Sequence, residues 1–124
     1  MKATNFTGIK HFEPYEFFSP DIDSGAENMD RKLLIQLDSA RDIYGKPMKI
    51  NSGFRTKAHN KKVGGSDTSS HLGGYAVDVH VPNGYERLHM VDALLRAGFK
   101  RIGIANTFIH VDTDYKKPNS LWIY

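Results

Sequence analysis

Cysteine is absent from the 124-residue chain. Disulfides, thiolate zinc fingers, iron–sulfur clusters and cysteine nucleophiles are excluded with it, so any bound metal has to be held by imidazole and carboxylate. Long apolar runs are absent too. Nothing approaches the ~18–20 residues of a membrane span, and the opening MKATNFTGIK lacks the charged-then-apolar pattern of a secretory leader. Membrane insertion is therefore not expected, and synthesis without a signal peptide is. Repeats, low-complexity tracts and linkers are also missing, which predicts one domain over 1–124 with an irregular arm over 1–26.

Neither sign of charge dominates. Seventeen Lys and Arg stand against 14 Asp and Glu, a surplus of three. The densest basic groups are Arg55 and Lys57 with Lys61 and Lys62, and the pair Lys116 and Lys117. No aromatic-and-basic stripe or recognition helix accompanies them, so nucleic acid is not an expected partner, and the surplus hints only at an anionic one. With 40% hydrophobic and 25% charged residues the composition is that of a globular protein. What stands out is six histidines.

In the arm, Phe12, Tyr15, Phe17 and Phe18 are interrupted by Pro14 and Pro20 and are expected to anchor irregular chain on a core. Over 27–44, Met29, Leu33, Leu34, Leu37, Ala40 and Tyr44 recur at helical spacing before Gly45 and Pro47 stop the pattern. A second helix is predicted over 84–97, with Leu88, Val91, Leu94 and Leu95 inward. Strands are predicted over 48–52, 75–81 and 121–124, with a hairpin over 101–105 and 107–113. This order favours an α+β fold, with helices packed on one face of a largely antiparallel sheet.

Alternation along the strands isolates the chemistry. Ala76, Asp78 and His80 share one face of their strand, and Phe108, His110 and Asp112 share one face of theirs. Upstream, Ser69, His71, Gly74, Ala76 and Asp78 read S-x-H-x-x-G-x-A-x-D, and the paired glycines Gly73 and Gly74 allow a sharp turn between imidazole and carboxylate. His71, Asp78 and His110 would make a three-ligand site with the fourth tetrahedral position open to water, the layout of a catalytic zinc centre. One carboxylate leaves the bound ion about +1, enough to draw the pKa of its water toward ~7.

The segments HFEPYEF, INSGFRT, HNKKVGG, SSHLGGYAVDV and FIHVDTD…LWIY, in this order, resemble zinc D-Ala-D-Ala carboxypeptidases and related peptidoglycan endopeptidases of the M15 type. That family shares a fold with the Hedgehog signalling domain. The likeness covers 11–124 and is closest to short single-domain phage and bacterial members. It implies a Hedgehog/DD-peptidase fold and one Zn²⁺ on His71, Asp78 and His110, with Arg55 gripping a substrate carboxylate or carbonyl. The substrate implied is a peptidoglycan stem peptide. The D-Ala-D-Ala bond is the first choice, and an L-Ala-D-Glu or cross-bridge endopeptidase of the endolysin kind is the alternative. Without a leader, such an enzyme is expected to reach the periplasm or cell wall through phage lysis or as part of a larger particle, and to act as a monomer.

A planar guanidinium at Arg55 suits a terminal carboxylate on physical grounds as well, because it can bind it bidentately. Ser69 is a candidate for substrate contact or for closing a turn. The sequence departs from the family at the proton acceptor. Many relatives place an acid three residues before the last ligand, where this chain has Thr107. Asp112 is the first candidate to replace it as catalytic base. The alternative for Asp112 is orienting a ligating imidazole. His80 is a second candidate, and Asp114 reads as a solvated turn residue. His11, His59 and His89 are expected to be ordinary surface histidines, and Asn60, Gly64 and Gly65 to shape the turn that presents His71. A rival reading is a zinc-containing wall-binding module without efficient catalysis.

Overall fold

Asp30 starts the first helix. Its carboxylate accepts a hydrogen bond from the Leu33 N–H at 3.2 Å, and α1 (Arg31–Tyr44) runs to Gly45, whose φ of 77° turns the chain out. The helix begins later than its periodicity predicts, because Met29 is extended and Ala26–Asn28 form a separate 3₁₀ turn. Met29 still reaches the core, from outside the helix. Leu33, Leu34, Leu37 and Ala40 form the buried face. Asp38 is buried beside them and accepts from the backbone N–H groups of Lys10 and His11 at 3.0 and 2.9 Å, tying the arm to the helix.

The computed structural model describes residues 4–124, so the first three residues of the predicted arm lie outside it. Within the arm Phe12 and Phe17 are buried and Phe18 is packed against the core, as expected, while Tyr15 is exposed; Phe6, which the expectation did not include, is buried against Phe17 as well. The chain continues through β1 (Ile50–Ser52), α2 (Lys57–Lys62), β2 (Ala76–His80), α3 (Gly84–Arg96), β3 (Arg101–Ile104), β4 (Phe108–Asp112) and β5 (Ser120–Ile123). Helix α2 falls where a loop was expected. Its KAHNKK sequence has no apolar stripe, and its local signal is the cap at Thr56, whose hydroxyl accepts from the His59 N–H at 3.1 Å.

Helix α3 turns Leu94 inward as predicted, with Val91 packed against the core, but the rest of its predicted face lies outside. Met90, Ala93 and Leu94 are buried, whereas Leu88 is 67% and Leu95 50% exposed. Leu95 lies about 100° around the helix from Leu94, and Leu88 falls on the same outer side.

The five strands form one sheet in the order β1-β2-β4-β3-β5, antiparallel except for the last pair. Strand β5 runs parallel to β3, so the sheet is mixed at that edge. The chain leaves β4, crosses past β3 and lies down on its far side. Val77, Val79, Ile109, Val111 and Ile102 join α1 and α3 in one hydrophobic core. The opposite face carries a row of cross-strand neighbours: Ser52 beside Asp78, Asp78 beside His110, His110 beside Gly103, and Gly103 beside Trp122. Among the described residues no helix is long and apolar enough to cross a membrane.

Candidate metal centre

His71 reaches the sheet from a 3₁₀ turn, Ser70–Gly73. Ser69 opens that turn, its hydroxyl accepting from the His71 N–H at 3.3 Å, and Gly74 closes it at φ 77°. The turn is pinned from outside, since the Gly74 carbonyl accepts from the Asp30 N–H at 2.9 Å. Asp78 and His110 face each other across β2 and β4. All three side chains are buried.

Their hydrogen bonds decide which atoms point inward. Nδ1 of His71 lies 2.8 Å from the Gly53 carbonyl oxygen, which can only accept, so Nδ1 carries the proton and Nε2 is bare. Nε2 of His110 lies 2.8 Å from Oδ2 of Asp112 and donates to it, which turns Nδ1 toward Asp78. Oδ1 of Asp78 sits between the two inward nitrogens, 3.3 Å from His71 Nε2 and 3.0 Å from His110 Nδ1. One donor atom from each of the three residues lies within 4.8 Å of the others. Electron-pair donors converging in a buried place require a cation or a proton among them, and two imidazoles with a carboxylate are the borderline-hard donor set that zinc accepts.

Electrostatics agree. Burial pushes the Asp78 carboxyl up, but its hydrogen bond with His110 and the neighbouring His71 imidazole outweigh it and hold the group well below the usual carboxylate range. Burial disfavours a charged His110, yet its bonds to Asp112 and Asp78 prevail and raise its pKa. Both shifts favour positive charge among the three donors, which a metal ion or a proton can supply. The donors open on a cavity of about 370 Å³ whose walls include Arg55, Ser69, Lys117, Trp122 and Tyr124.

Residues 10–112 match the family model described as Peptidase M15. The chain belongs to the Peptidase M15 family. No curated protein matches it. The family is one of zinc-dependent peptidases, and the His71, Asp78 and His110 group of this M15 peptidase fits that ion on its donor chemistry. The mixed α+β architecture is that of an M15 peptidase fold.

The other expected residues of the M15 peptidase separate by position. Arg55 stands beside the donors, with Nη2 3.4 Å from Oδ2 of Asp78. Ser69 both caps the His71 turn and lines the cavity. Asp112 is 2% exposed, and both its oxygens are engaged: Oδ2 by His110, Oδ1 by Arg101 Nε at 2.7 Å and the Asp114 N–H at 3.1 Å. His80 is exposed at the end of β2, outside the cavity wall. Asp114 is not a solvated turn residue. It is buried, accepting from the Ser70 hydroxyl at 2.8 Å and so joining the loop after β4 to the His71 turn. Thr107 is exposed and does not line the cavity. His11 pairs with Asp42 and His89 lies against Tyr85 on the outer side of α3, while His59, on α2, shares the wall of a neighbouring cavity with Arg55 and Asp78 but is not one of the converging donors.

Two supporting residues had no sequence signal of their own. Arg101 holds Asp112 and lies over the Trp122 ring at 5.0 Å, and Trp122 in turn packs 5.3 Å from His110. Gly103 makes the place for that indole, because a Cβ there would come within 2.5 Å of the Trp122 Nε1.

Proposed function

We propose that this M15 peptidase acts as a monomer that hydrolyses peptidoglycan stem peptides with one Zn²⁺ on His71, Asp78 and His110, the D-Ala-D-Ala bond being its first substrate. The observation that carries this reading is Arg55 beside the donor set, 3.4 Å from Asp78 in the wall of the same cavity. A zinc ion bound there supplies a Lewis acid for the scissile carbonyl and an acidified water. Arg55 grips a carboxylate, and its closeness to Asp78 supports a carboxylate on the residue next to the cleaved bond. A terminal D-Ala offers one. So does D-Glu linked onward through its side chain, which keeps L-Ala-D-Glu as the alternative bond.

The Gly53 carbonyl fixes the tautomer of His71, and Asp112, itself held by Arg101, fixes that of His110. On this reading Asp112 orients a ligand, and that role replaces the proton-acceptor role expected of it. Exchanging Asp112 for Asn is then expected to weaken zinc binding by roughly 10–100-fold while zinc-saturated protein keeps most of its kcat. Chelator-competition titrations and turnover at saturating zinc separate the two roles, since a lost base would collapse kcat at every zinc concentration.

One observation favours the second reading, a zinc-holding wall-binding module. Among the described residues that line the cavity the carboxylates are Asp78 and Asp112, and both are committed to partners. Digestion of purified sacculi with mass analysis, with and without chelator, decides between them. Chelator-sensitive release of D-Ala supports the first reading, and new amino-terminal D-Glu moves the bond to the alternative. Sedimentation with sacculi without any product leaves the binding module.

A further inference from the structure

Arg55 is useful as a carboxylate grip only if its long side chain is held in place, and the structure assigns that task to a buried amide. We propose that Asn60 is a positioning residue that fixes the Arg55 guanidinium for the α-carboxylate of the residue beyond the cleaved bond. The inference rests on the proposed role of Arg55 itself.

The guanidinium is tied at all three nitrogens. Nε donates to the Ser52 hydroxyl at 3.1 Å, Nη1 to Oδ1 of Asn60 at 3.2 Å and Nη2 to Oδ2 of Asp78 at 3.4 Å. Five N–H groups less these three leave one on each terminal nitrogen, the number a carboxylate takes from a guanidinium fork. Asn60 is 3% exposed, so it has no direct access to substrate. Its own orientation is set, because Nδ2 donates to the Ser66 carbonyl at 2.8 Å and its backbone carbonyl accepts from the Gly65 N–H at the same distance. The amide oxygen therefore faces Arg55, and the amide nitrogen faces the loop.

Gly65 belongs to the same device. A Cβ at that position would overlap Oδ1 of Asn60, come within 2.7 Å of its Cγ and lie 3.1 Å from Nη1 of Arg55. The turn at Gly64 and Gly65 thus lies directly on the contact between Asn60 and Arg55. It bears on Arg55, whereas the sequence had assigned it to His71.

The test measures binding to zinc-loaded protein by calorimetry, using reduced-amide dipeptides that end in D-Ala or D-Glu, each as the free α-carboxylate and as the carboxamide. Wild type is expected to prefer the acid, and Arg55→Ala to lose that preference. Asn60→Ala is expected to lower the preference by roughly tenfold, with little change for the carboxamide. In an Arg55→Ala background Asn60→Ala should have no further effect on the ratio. Gly65→Ala provides a second variant should Asn60→Ala fail to fold, and the same loss of acid preference is expected of it. An equal loss for acid and carboxamide, an unchanged ratio, or an effect that persists without Arg55 would overturn the positioning role. A wild type with no acid preference for either dipeptide would instead overturn the role of Arg55 on which this one depends.

Discussion

His71→Ala is expected to remove stoichiometric zinc and to reduce peptide hydrolysis on the order of 10³-fold or more, since an ion that stabilises the transition state by several kcal/mol is lost with its ligand. The imidazole is 2% exposed and its Nδ1 is spent on the Gly53 carbonyl, so its bare Nε2 has the metal as its natural partner. The two remaining donors, Asp78 Oδ1 and His110 Nδ1, are 3.0 Å apart and close on each other as an ion pair once nothing competes for them. The substitution also strands the Gly53 carbonyl in a buried place, at a cost of about 1–3 kcal/mol in stability. Circular dichroism should therefore show a folded protein that melts lower, and elemental analysis after dialysis should show no bound metal. A folded His71→Ala protein that retains one zinc and full turnover would sink the ligand assignment.

Gly74→Ala is expected to destabilise the metal-free protein by about 4 kcal/mol. Gly74 has φ 77°, where a Cβ costs about 1–2 kcal/mol. Overpacking against rigid neighbours adds about 1–3 kcal/mol. The neighbours here are backbone: the Cβ would overlap the Asn28 carbonyl oxygen and lie 2.6 Å from its carbon and 2.9 Å from Met29 Cα. That stretch cannot yield alone, because the Met29 carbonyl accepts from Asn5 and the next N–H, of Asp30, donates to Gly74 itself. For a chain of this size the melting temperature should fall by about 10–25 °C. Gly64→Ala is the internal control. Its φ is 76°, but no atom lies within 4 Å of the added carbon, so only the conformational cost of about 1–2 kcal/mol applies. Similar melting temperatures for the two variants would refute the claim that the Asn28–Gly74 contact makes the difference. Zinc should restore part of the loss at Gly74, because an ion that binds the folded state alone stabilises it by mass action.

The His71 turn was legible because its signals are local. Ser69 caps, Gly74 ends the turn, and the alternation 76–81 places Asp78 on the face away from the valines. The same alternation placed His110 and Asp112 together on β4. What failed was wherever periodicity was weak or symmetrical. Leu88 and Leu95 read as core because a helix with apolar residues on more than one face does not say which face is covered. Helix α2 was invisible because five polar residues and a single alanine carry no amphipathic phase. Strand β5 was recognised as a strand, but its parallel neighbour was not, since a strand's own residues do not name its partner.

By itself the sequence determined that any bound metal has to rest on nitrogen and oxygen, and that three such donors, His71, Asp78 and His110, stand at a capped turn or on the strand faces turned away from the valines. These are properties of composition and of two- and 3.6-residue periods, which adjacent residues enforce on one another. Only the tertiary structure decided which nitrogen of each histidine faces inward, and that Arg101 holds Asp112 behind His110. It alone put Asn60 rather than substrate against one arm of Arg55, and opened at Gly103 the room that Trp122 fills. Those are contacts between residues distant in the chain or brought together by folding, and their energy depends on distance in space, which no period along the sequence records.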